Sequence, residues 1–245
     1  MPYCRRREIK LGLVPPARGI FGTAVQLDHL AELPILQYNT WNVSRSTQLG
    51  KRLIDLLVSW LLLAALAPAM AIIACAVMLD SRGGVFFRQR RCGRSGTPFW
   101  IWKFRTMHSG AEARLSELVQ LDALEAPVFK FERDPRVTRV GRLLRRTSLD
   151  ELPQLWNVLR GDMSLVGPRP EQVDLVDCYT EEAREIRLAV KPGLTGPMQV
   201  FGRGALTFDE RLAVERDYVE NLSLWRDLRI LLMTGSAVVQ GRGAY

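Results

Sequence analysis

The longest apolar stretch of the chain runs from residue 56 to residue 79 and contains no charged side chain. Its 24 residues read LLVSWLLLAALAPAMAIIACAVML. About 20 apolar residues in a helix cross a hydrocarbon core of about 30 Å, so the stretch predicts a membrane helix. Pro68 lies near its middle, where it removes a backbone donor and disturbs the preceding turn. We therefore expect a kink or a break at this position.

Basic residues flank this apolar stretch on both sides. Lys51 and Arg52 precede it, and Arg82 and Arg88 follow it. Cytoplasmic flanks carry the excess of lysine and arginine, so a single crossing would place one of the two groups on the wrong side of the membrane. The pattern favours a re-entrant helix that breaks at Pro68 and returns to the same face. A kinked transmembrane span and a buried core helix are the alternatives.

The remaining hydrophobic pattern predicts helices and one small β-hairpin. Residues 1–50 show no sustained period and are interpreted as an irregular extension. The aromatic and β-branched runs VFFRQ and PFWIWKFR flank the segment RRCGRSGT and predict the hairpin. A 3.6-residue period over residues 111–124 predicts an amphipathic helix. Two short helices are expected within residues 134–161, the first ending near Arg146 and the second at Gly161.

Two further helices are predicted in the segments FDERLAVERDYVENL and SLWRDLRILLMTGSAVV. Ser223 is a suitable N-cap for the second. That helix carries Trp225 and Leu228 beside Arg226 and Arg229, so it could lie in a membrane interface, although packing against the core explains the pattern equally well. Together the elements predict a monotopic membrane protein that is mainly α with a small β-hairpin, a re-entrant helix-break-helix and interfacial amphipathic helices.

The charge balance predicts an anionic partner. The sequence has 34 lysine and arginine residues against 26 aspartate and glutamate residues, a formal net charge of +8. Nucleic acid, an acidic membrane surface and a phosphorylated substrate all fit this charge. The basic residues are mostly arginine, which suits bidentate phosphate binding, although codon bias would give the same excess. The four cysteines are scattered, which disfavours a disulfide framework or a zinc site and indicates a reducing cytoplasmic compartment.

Two adjacent carboxylates, Asp150 and Glu151, lie in the basic segment RRTSLDELPQLWNVLRGDMSLVGPRP. One interpretation is structural, because Ser148 and Glu151 fit a capping box at a helix N-terminus. A second structural interpretation starts the helix at Pro153 and leaves Asp150 just outside it. Either way we expect the carboxylates at a helix N-terminus, which is also a site where anions bind.

The chemical interpretation adds the cationic side chains around the pair. The candidates to converge on it are Arg145, Arg146, Arg169 and Lys103. Pro168 and Pro170 fix the backbone on both sides of Arg169. Nearby arginines should lower the pKa of Asp150 and leave it ionised. An ionised carboxylate among phosphate-binding arginines could attack phosphorus, with Mg²⁺ neutralising a diphosphate, or could hold the metal.

Five segments of the chain carry a family resemblance. They are KRLIDLL, VFFRQRRCGRSGTPFWIWKFRTM, DPRVTRVGRLLRRTSLDELPQLWNVLRGDMSLVGPRPE, KPGLTGPMQV and FGRG. In this order, and over about residues 51–245, they resemble the bacterial sugar transferase family, the monotopic polyprenol-phosphate phosphoglycosyl transferases. Two positions depart from the common pattern. Ala67 precedes Pro68 where many relatives have serine, and Pro197 stands where relatives often have an aromatic residue.

The resemblance implies an enzyme that transfers a sugar 1-phosphate from a nucleotide-diphosphate sugar, usually a UDP-sugar, to undecaprenyl phosphate. It implies that Asp150 attacks the β-phosphate and contacts Mg²⁺. A phosphosugar-enzyme intermediate would form and UMP would be released, with Glu151 as the assisting acid/base or metal partner. The basic residues that the resemblance implies in phosphate binding are Lys103, Arg105, Arg145, Arg169 and Arg203. Such a reaction would begin the synthesis of a capsule, exopolysaccharide, O-antigen or glycoprotein glycan.

The resemblance and the sequence pattern together predict three regions. Residues 1–50 form the irregular extension, residues 51–80 the re-entrant membrane helix and residues 81–245 a cytoplasmic catalytic domain. The expected partners are the nucleotide sugar, undecaprenyl phosphate and the inner leaflet at the cytoplasmic face of the bacterial inner membrane, with no nucleic acid. A homodimer is also considered. The rival hypotheses are a membrane-tethered basic scaffold and a nucleic-acid or anionic-lipid binding protein without catalysis.

Overall fold

The computed structural model describes residues 25–30, 33–38, 44–111, 134–176, 179–202 and 207–239. The chain divides into two compact units, residues 1–44 and residues 45–245. Beyond its first residue, the helix predicted over residues 111–124 lies outside the described residues.

In the first unit, strands β1 (Val25–Leu30) and β2 (Leu33–Tyr38) pair antiparallel, with Val25 opposite Tyr38 and Leu30 opposite Leu33. The prediction that residues 1–50 are irregular is therefore wrong over these two strands. It is also wrong over residues 45–50, where the long apolar helix begins six residues earlier than predicted. The segment VQLDHL alternates apolar and polar residues over its first four positions. An alternation of only four residues is too short to predict a strand from sequence.

The second unit begins with helix α1 (Arg45–Asp80) and the antiparallel hairpin of β3 (Phe86–Cys92) and β4 (Pro98–Phe104). The elements that follow are α2 (Arg139–Thr147), α3 (Gln154–Arg160), β5 (Ser164–Val166), α4 (Val173–Val176), α5 (Glu181–Leu188), β6 (Gly193–Thr195), a π-helical turn (Met198–Gly202), α6 (Phe208–Glu220) and α7 (Leu224–Val239). The prediction of a mainly helical fold with a small β-hairpin is confirmed.

Helix α1 is the one described helix that is long and apolar enough to cross a membrane. Only 6% of its most apolar 18-residue stretch is buried. Pro68 lies inside this 36-residue helix, so the predicted non-helical break between two helices is not observed. A proline removes a single backbone donor, and a helix of this length retains its other hydrogen bonds on either side.

The hairpin is fixed to α3 by the side chain of Asn157, which is fully buried. Its Nδ2 donates to the carbonyl of Trp100 at 2.7 Å, and its Oδ1 accepts from the N–H of Trp102 at 3.1 Å. These bonds satisfy backbone groups of β4 that have no strand partner on that side. The amide thereby sets the position of β4, and of Lys103 on it, relative to the helix that follows the carboxylate pair.

Two groups of buried apolar side chains form the core. The larger contains Ile101 of β4, Leu155 of α3 and Tyr218 of α6, all at most 2% exposed. The smaller joins Val77 of α1 to Phe104 and Leu144. Each large apolar side chain buried in this way contributes about 1.5–3 kcal/mol. The C-terminal part of α1 is therefore packed against the same body as the hairpin and α2.

The helix boundaries follow local signals in the sequence. Gly161 ends α3 in a left-handed conformation with φ of 91°. Thr207 caps α6 in a complete capping box with Glu210. The Ser223 hydroxyl accepts from the N–H of Arg226 at 3.3 Å, so the predicted cap of α7 is confirmed.

Candidate active site

The two carboxylates lie in a 3₁₀ turn, Leu149–Glu151, between α2 and α3. Ser148 precedes the turn in a left-handed conformation with φ of 58°, and its N–H donates to carbonyls at the end of α2. Its side chain makes no capping bond to the turn, so the predicted capping box is wrong. The alternative is closer to the structure, because Pro153 directly precedes α3 and Asp150 lies just outside that helix.

Glu151 is held by two cationic side chains. Its Oε1 accepts from Lys103 Nζ at 2.7 Å and from Arg169 Nη2 at 3.2 Å. Burial alone would raise the pKa of Glu151, but the charges of Lys103 and Arg169 and their hydrogen bonds outweigh it and lower the pKa to about 2. Glu151 is therefore ionised at neutral pH. The predicted convergence of Lys103 and Arg169 on the carboxylate pair is present in the structure.

Asp150 lies in a different environment from its neighbour. Asp150 is buried, with 9% of its surface exposed. Burial raises the pKa of Asp150 above its ordinary value, and the charge of Lys103 offsets only part of this effect. The expectation that arginines would lower this pKa is wrong, because sequence shows the nearby charges but not the loss of solvent around the group. The pair thus combines one firmly ionised carboxylate with one that is poorly solvated.

Arg145 approaches the pair from α2. Burial lowers the pKa of Arg145, and the charge of Asp150 opposes that shift, which shows that the two groups interact. Arg145 Nε donates to the hydroxyl of Thr106 at 2.9 Å, which orients the guanidinium. Helix α2 approaches the residues that follow β4 closely, because a Cβ at Gly141 would lie 2.1 Å from the Thr106 carbonyl oxygen. Arg146 is exposed on the same helix.

Arg105 does not reach the carboxylate pair in the structure. Its guanidinium donates to the carbonyls of Ser81 at 2.6 Å and Arg82 at 2.8 Å, at the C-terminal end of α1. A cation at the end of a helix satisfies unpaired carbonyls and complements the helix dipole. Arg105 thus holds the end of α1 in the structure, and its role in phosphate binding stays a prediction. Arg203 lies outside the described residues.

Arg169 is presented by a short loop that follows β5. Strands β5 and β6 pair parallel, and the Gly167 N–H donates to the Thr195 carbonyl at 2.9 Å. A Cβ at Gly196 would lie 2.0 Å from the Gly167 carbonyl oxygen, so the loop and β6 approach closely only because both residues are glycine. These contacts place the half-exposed Arg169 side chain beside Glu151.

Four charged residues behind this loop were not predicted as part of the site. They are Arg91, Glu171, Arg187 and Glu215. Arg187 donates to the Arg169 carbonyl at 3.1 Å. It also lies 3.0 Å from Glu215 Oε2 on α6. Glu171 directly follows the sequence GPRP, and that was the one signal near the loop that sequence reasoning could have used.

The fit of Mg²⁺ to these residues depends on the oxygen donors present. Among residues 44–111, 134–176, 179–202 and 207–239, no group of three or more His, Cys, Asp or Glu side chains could hold a metal. Mg²⁺ needs no such group, since it is commonly bound by one or two carboxylates, phosphate oxygens and water. Asp150 and Glu151 supply two carboxylates, with Lys103 and Arg169 beside them. The donor set therefore fits Mg²⁺ that arrives with a diphosphate.

The fold and site combine one long apolar helix with a pair of adjacent carboxylates beside cationic side chains. Residues 46–241 match the family described as bacterial sugar transferase, and the chain belongs to that family. It is 38% identical to the undecaprenyl-phosphate galactose phosphotransferase of Salmonella typhimurium over 99% of this chain and 51% of that protein. It therefore spans about half the length of that relative.

Two shorter relatives are covered more fully. The chain is 44% identical to the UDP-glucose:undecaprenyl-phosphate glucose-1-phosphate transferase of Caulobacter vibrioides, over 82% of this chain and 73% of that protein. It is 40% identical to the exopolysaccharide production protein ExoY of Sinorhizobium fredii, over 80% of this chain and 88% of that protein. The resemblance read from the sequence motifs is thus confirmed at the level of the family.

Proposed function

We propose that the protein transfers a sugar 1-phosphate from a UDP-sugar to undecaprenyl phosphate and so begins the synthesis of a cell-surface polysaccharide. The observation that carries this proposal is the pair of adjacent carboxylates in unlike environments. Glu151 is bound by Lys103 and Arg169, whereas Asp150 is buried beside Arg145. The names of the Salmonella and Caulobacter relatives support the acceptor and the type of donor.

In the proposed mechanism, an Asp150 carboxylate oxygen attacks the β-phosphorus of the donor. The bond between that phosphorus and the bridging oxygen breaks, and UMP leaves with the bridging oxygen. The product on the enzyme is an aspartyl phosphosugar. An oxygen of undecaprenyl phosphate then attacks the same phosphorus, which releases Asp150 and forms the lipid-linked diphosphosugar.

The roles of the chain's residues follow from their environments. Burial leaves the Asp150 anion poorly solvated, which favours its reaction with phosphorus once the cations of Lys103 and Arg145 keep it ionised. Arg169 and Arg145 would bind the donor phosphates, because guanidinium groups match phosphate geometry. Mg²⁺, held by Asp150 and Glu151 together with the diphosphate, would neutralise the charge that the diphosphate carries.

The first prediction tests this reaction directly. Purified protein in detergent or lipid nanodiscs, with Mg²⁺ and undecaprenyl phosphate, is expected to release UMP from at least one UDP-sugar. UDP-glucose and UDP-galactose should be tried first. Chelation of the metal with EDTA should remove the activity, and added Mg²⁺ should restore it, because the diphosphate charge would otherwise stay unneutralised. The absence of UMP release across a full panel of UDP-sugars would contradict the proposal.

The membrane arrangement that we propose is re-entrant, in the inner leaflet, with a bend of the continuous helix at Pro68 in place of the predicted break. Near the N-terminal end of α1, Lys51 Nζ donates to the Val166 carbonyl at 2.9 Å. At the C-terminal end, the Asp80 Oδ2 accepts from the Val140 N–H at 2.9 Å. A straight helix would separate Lys51 and Asp80 by about 40 Å, more than the hydrocarbon core of about 30 Å. Because both ends contact one catalytic body, a simple crossing would require that body on both sides of the membrane.

The middle of α1 supports the same arrangement. Trp60, Leu61 and Ile72 are exposed by 62%, 56% and 70% of their surface, whereas Val58 and Ile73 of the same helix pack against the core. Apolar side chains exposed to this extent along one side of a helix indicate contact with lipid. The basic flanks on both sides then lie at the cytoplasmic surface.

The boundaries of the catalytic region at residues 81–245 and a homodimer stay predictions.

The second prediction concerns this topology. Single cysteines at residues 45 and 90, in a variant that lacks the four native cysteines, should both be protected from a membrane-impermeant maleimide in intact cells. Both should become reactive when the inner membrane is opened. A cysteine inserted in a periplasmic loop of an unrelated membrane protein serves as the labelling control. Labelling of only one of the two sites in intact cells would refute the re-entrant arrangement.

A further inference from the structure

The loop that presents Arg169 is only partly fixed by its two prolines. Pro168 and Pro170 fix their own φ angles, and Pro170 also disfavours the α region for the residue before it. The φ and ψ angles of Arg169 itself can still vary within the extended region, because neither proline fixes them. The guanidinium lies at the end of a long side chain, so a small change in these angles displaces it by several times as much. Something other than proline must hold the Arg169 backbone.

The structure shows contacts to both peptide groups of Arg169. The Arg169 N–H faces the Glu215 carboxylate and offsets part of the rise in its pKa that burial causes. Arg187 Nη2 donates to the Arg169 carbonyl at 3.1 Å. Arg91 Nη1 donates to the next carbonyl, that of Pro170, at 3.2 Å. Three charged side chains from three different elements thus hold consecutive backbone groups of the loop.

These side chains are also joined to each other. Arg187 Nη1 lies 3.0 Å from Glu215 Oε2, and the two side chains are 10% and 1% exposed. Glu171 Oε2 lies 3.4 Å from Arg187 Nη2, and Glu171 Oε1 lies 3.8 Å from Arg91 Nη1. Arg187 also lies over the Tyr179 ring, with its Cζ 5.5 Å from the ring centroid. The result is an alternating row of charges that runs from α6 to β3 behind the loop.

A buried row of this kind is a poor source of stability. The loss of hydration of a buried ion pair can exceed the gain from its attraction, and apolar residues in its place are often as stable. What the charged groups provide, and apolar groups would not, is a hydrogen bond to the Arg169 carbonyl and a carboxylate that faces the Arg169 N–H. The geometry therefore indicates a role in position rather than in stability.

We propose that Arg187 and Glu215 are positioning residues for phosphate transfer, which hold the Arg169 backbone so that its guanidinium meets the donor phosphates. This inference rests on the proposed function, because Arg169 is the phosphate-binding group through which both residues act. Arg91 and Glu171 complete the row and hold the end of the loop. None of the four side chains contacts the reacting atoms.

The test is a double-mutant cycle between Arg187→Lys and Arg169→Ala, read as kcat/KM for UMP release. Lysine keeps the charge at 187 but cannot bind the Arg169 carbonyl and two carboxylates with one planar fork. Alone it should lower kcat/KM by about 10- to 100-fold, as expected for a displaced substrate-binding group. In the Arg169→Ala background the same change should cost less than about 2-fold, because no guanidinium is left to position.

Arg226→Lys is the matched control. Arg226 also joins a helix to a carboxylate of α6, since it bonds to the carbonyl and side chain of Asp217. Within the part of the chain that the structure describes, its side chain has no hydrogen bond to the Arg169 loop. It should change kcat/KM by less than about 2-fold in either background. An equal loss from Arg187→Lys with and without Arg169 would overturn the positioning role and leave the proposed function intact.

Amide hydrogen exchange tests the contact without any turnover. In Glu215→Gln and Arg187→Met, the peptide that covers residues 164–172 should exchange on the order of 10-fold faster than in the wild type. The first variant removes the charge that faces the Arg169 N–H, and the second removes the donor to the Arg169 carbonyl. Peptides from α2 should keep the wild-type rate. Unchanged exchange in residues 164–172 would overturn the inference, and this result is readable even if no UDP-sugar yields UMP.

Discussion

Replacement of Asp150 by asparagine is expected to abolish UMP release, with a loss of about 10⁴-fold or more. Asparagine has nearly the same volume, so it should fill the buried site between α2 and α3 without disturbing the turn. Its amide oxygen, however, carries no negative charge and is a very weak nucleophile. If Asp150 forms the bond to phosphorus, the other carboxylate of the turn, Glu151, should not replace it, because Lys103 and Arg169 already bind that group.

Glu151→Gln is the informative comparison, because Glu151 has the same charge and lies next in the chain. Its carboxylate accepts from Lys103 and Arg169, so glutamine would leave two cations facing a neutral amide. We expect a smaller loss, of about 10²-fold, since positioning is damaged but the nucleophile remains. Asp209→Asn, an exposed aspartate at the start of α6, should behave like the wild type.

Intact-protein mass spectrometry separates the two roles. With donor and Mg²⁺ but no undecaprenyl phosphate, the wild type should gain the mass of one phosphosugar. Glu151→Gln should gain the same mass more slowly, and Asp150→Asn should gain none. An adduct on Asp150→Asn together with none on Glu151→Gln would exchange the roles of the two carboxylates. UMP release that requires undecaprenyl phosphate, with no adduct in its absence, would instead favour direct transfer between the substrates.

The sequence allowed the site to be located because its main residues lie in or near a specific motif. The run from Arg145 to Pro170 contains both carboxylates and two of the phosphate-binding candidates, and local helix signals placed α2 and α3 around them. Lys103 could be added because the alternation of the hairpin strand gave it a polar face. These predictions depend on short-range patterns of period two or 3.6, which the sequence records directly.

The residues that were misjudged depend on packing between distant segments. Arg105 continues the alternation of Lys103, yet the end of α1 lies close enough to bind its guanidinium. Burial of Asp150 raises its pKa through elements that meet only in the folded chain. Glu215 reaches the Arg169 loop from α6, and no local pattern relates the two. Strands β5 and β6 have three residues each, too few to show a period.

The largest loss of stability is expected from Gly193→Ala in β6. A Cβ at this position would lie 2.1 Å from the Gly167 nitrogen, 2.3 Å from the Thr195 carbonyl oxygen and 2.7 Å from the Gly167 Cα. All three are backbone atoms, so no side-chain rotation can relieve the overlap. The strands would have to separate, and the bonds from Gly193 N–H to Pro168 O and from Gly167 N–H to Thr195 O would lengthen or break.

The expected size follows from these two effects. Overpacking of a rigid site costs about 1–3 kcal/mol, and each lost backbone hydrogen bond adds about 1 kcal/mol, so the free energy of unfolding should fall by about 3–5 kcal/mol. For a chain of this size, the midpoint of thermal unfolding should fall by roughly 10 °C. The rate of UMP release should fall as well, because the loop that contains Arg169 follows β5.

Gly235→Ala provides the matched control, since it makes the same chemical change at an open position. Gly235 lies within α7, and a Cβ there would meet no atom within 4 Å. Alanine is favoured over glycine inside a helix by about 0.5–1 kcal/mol, so this variant should unfold at the wild-type temperature or slightly above it. Thermal unfolding of both variants in the same detergent measures the difference. Equal midpoints would show that β5 and β6 are not packed as closely as their glycines indicate, and the position of Arg169 would then need another explanation.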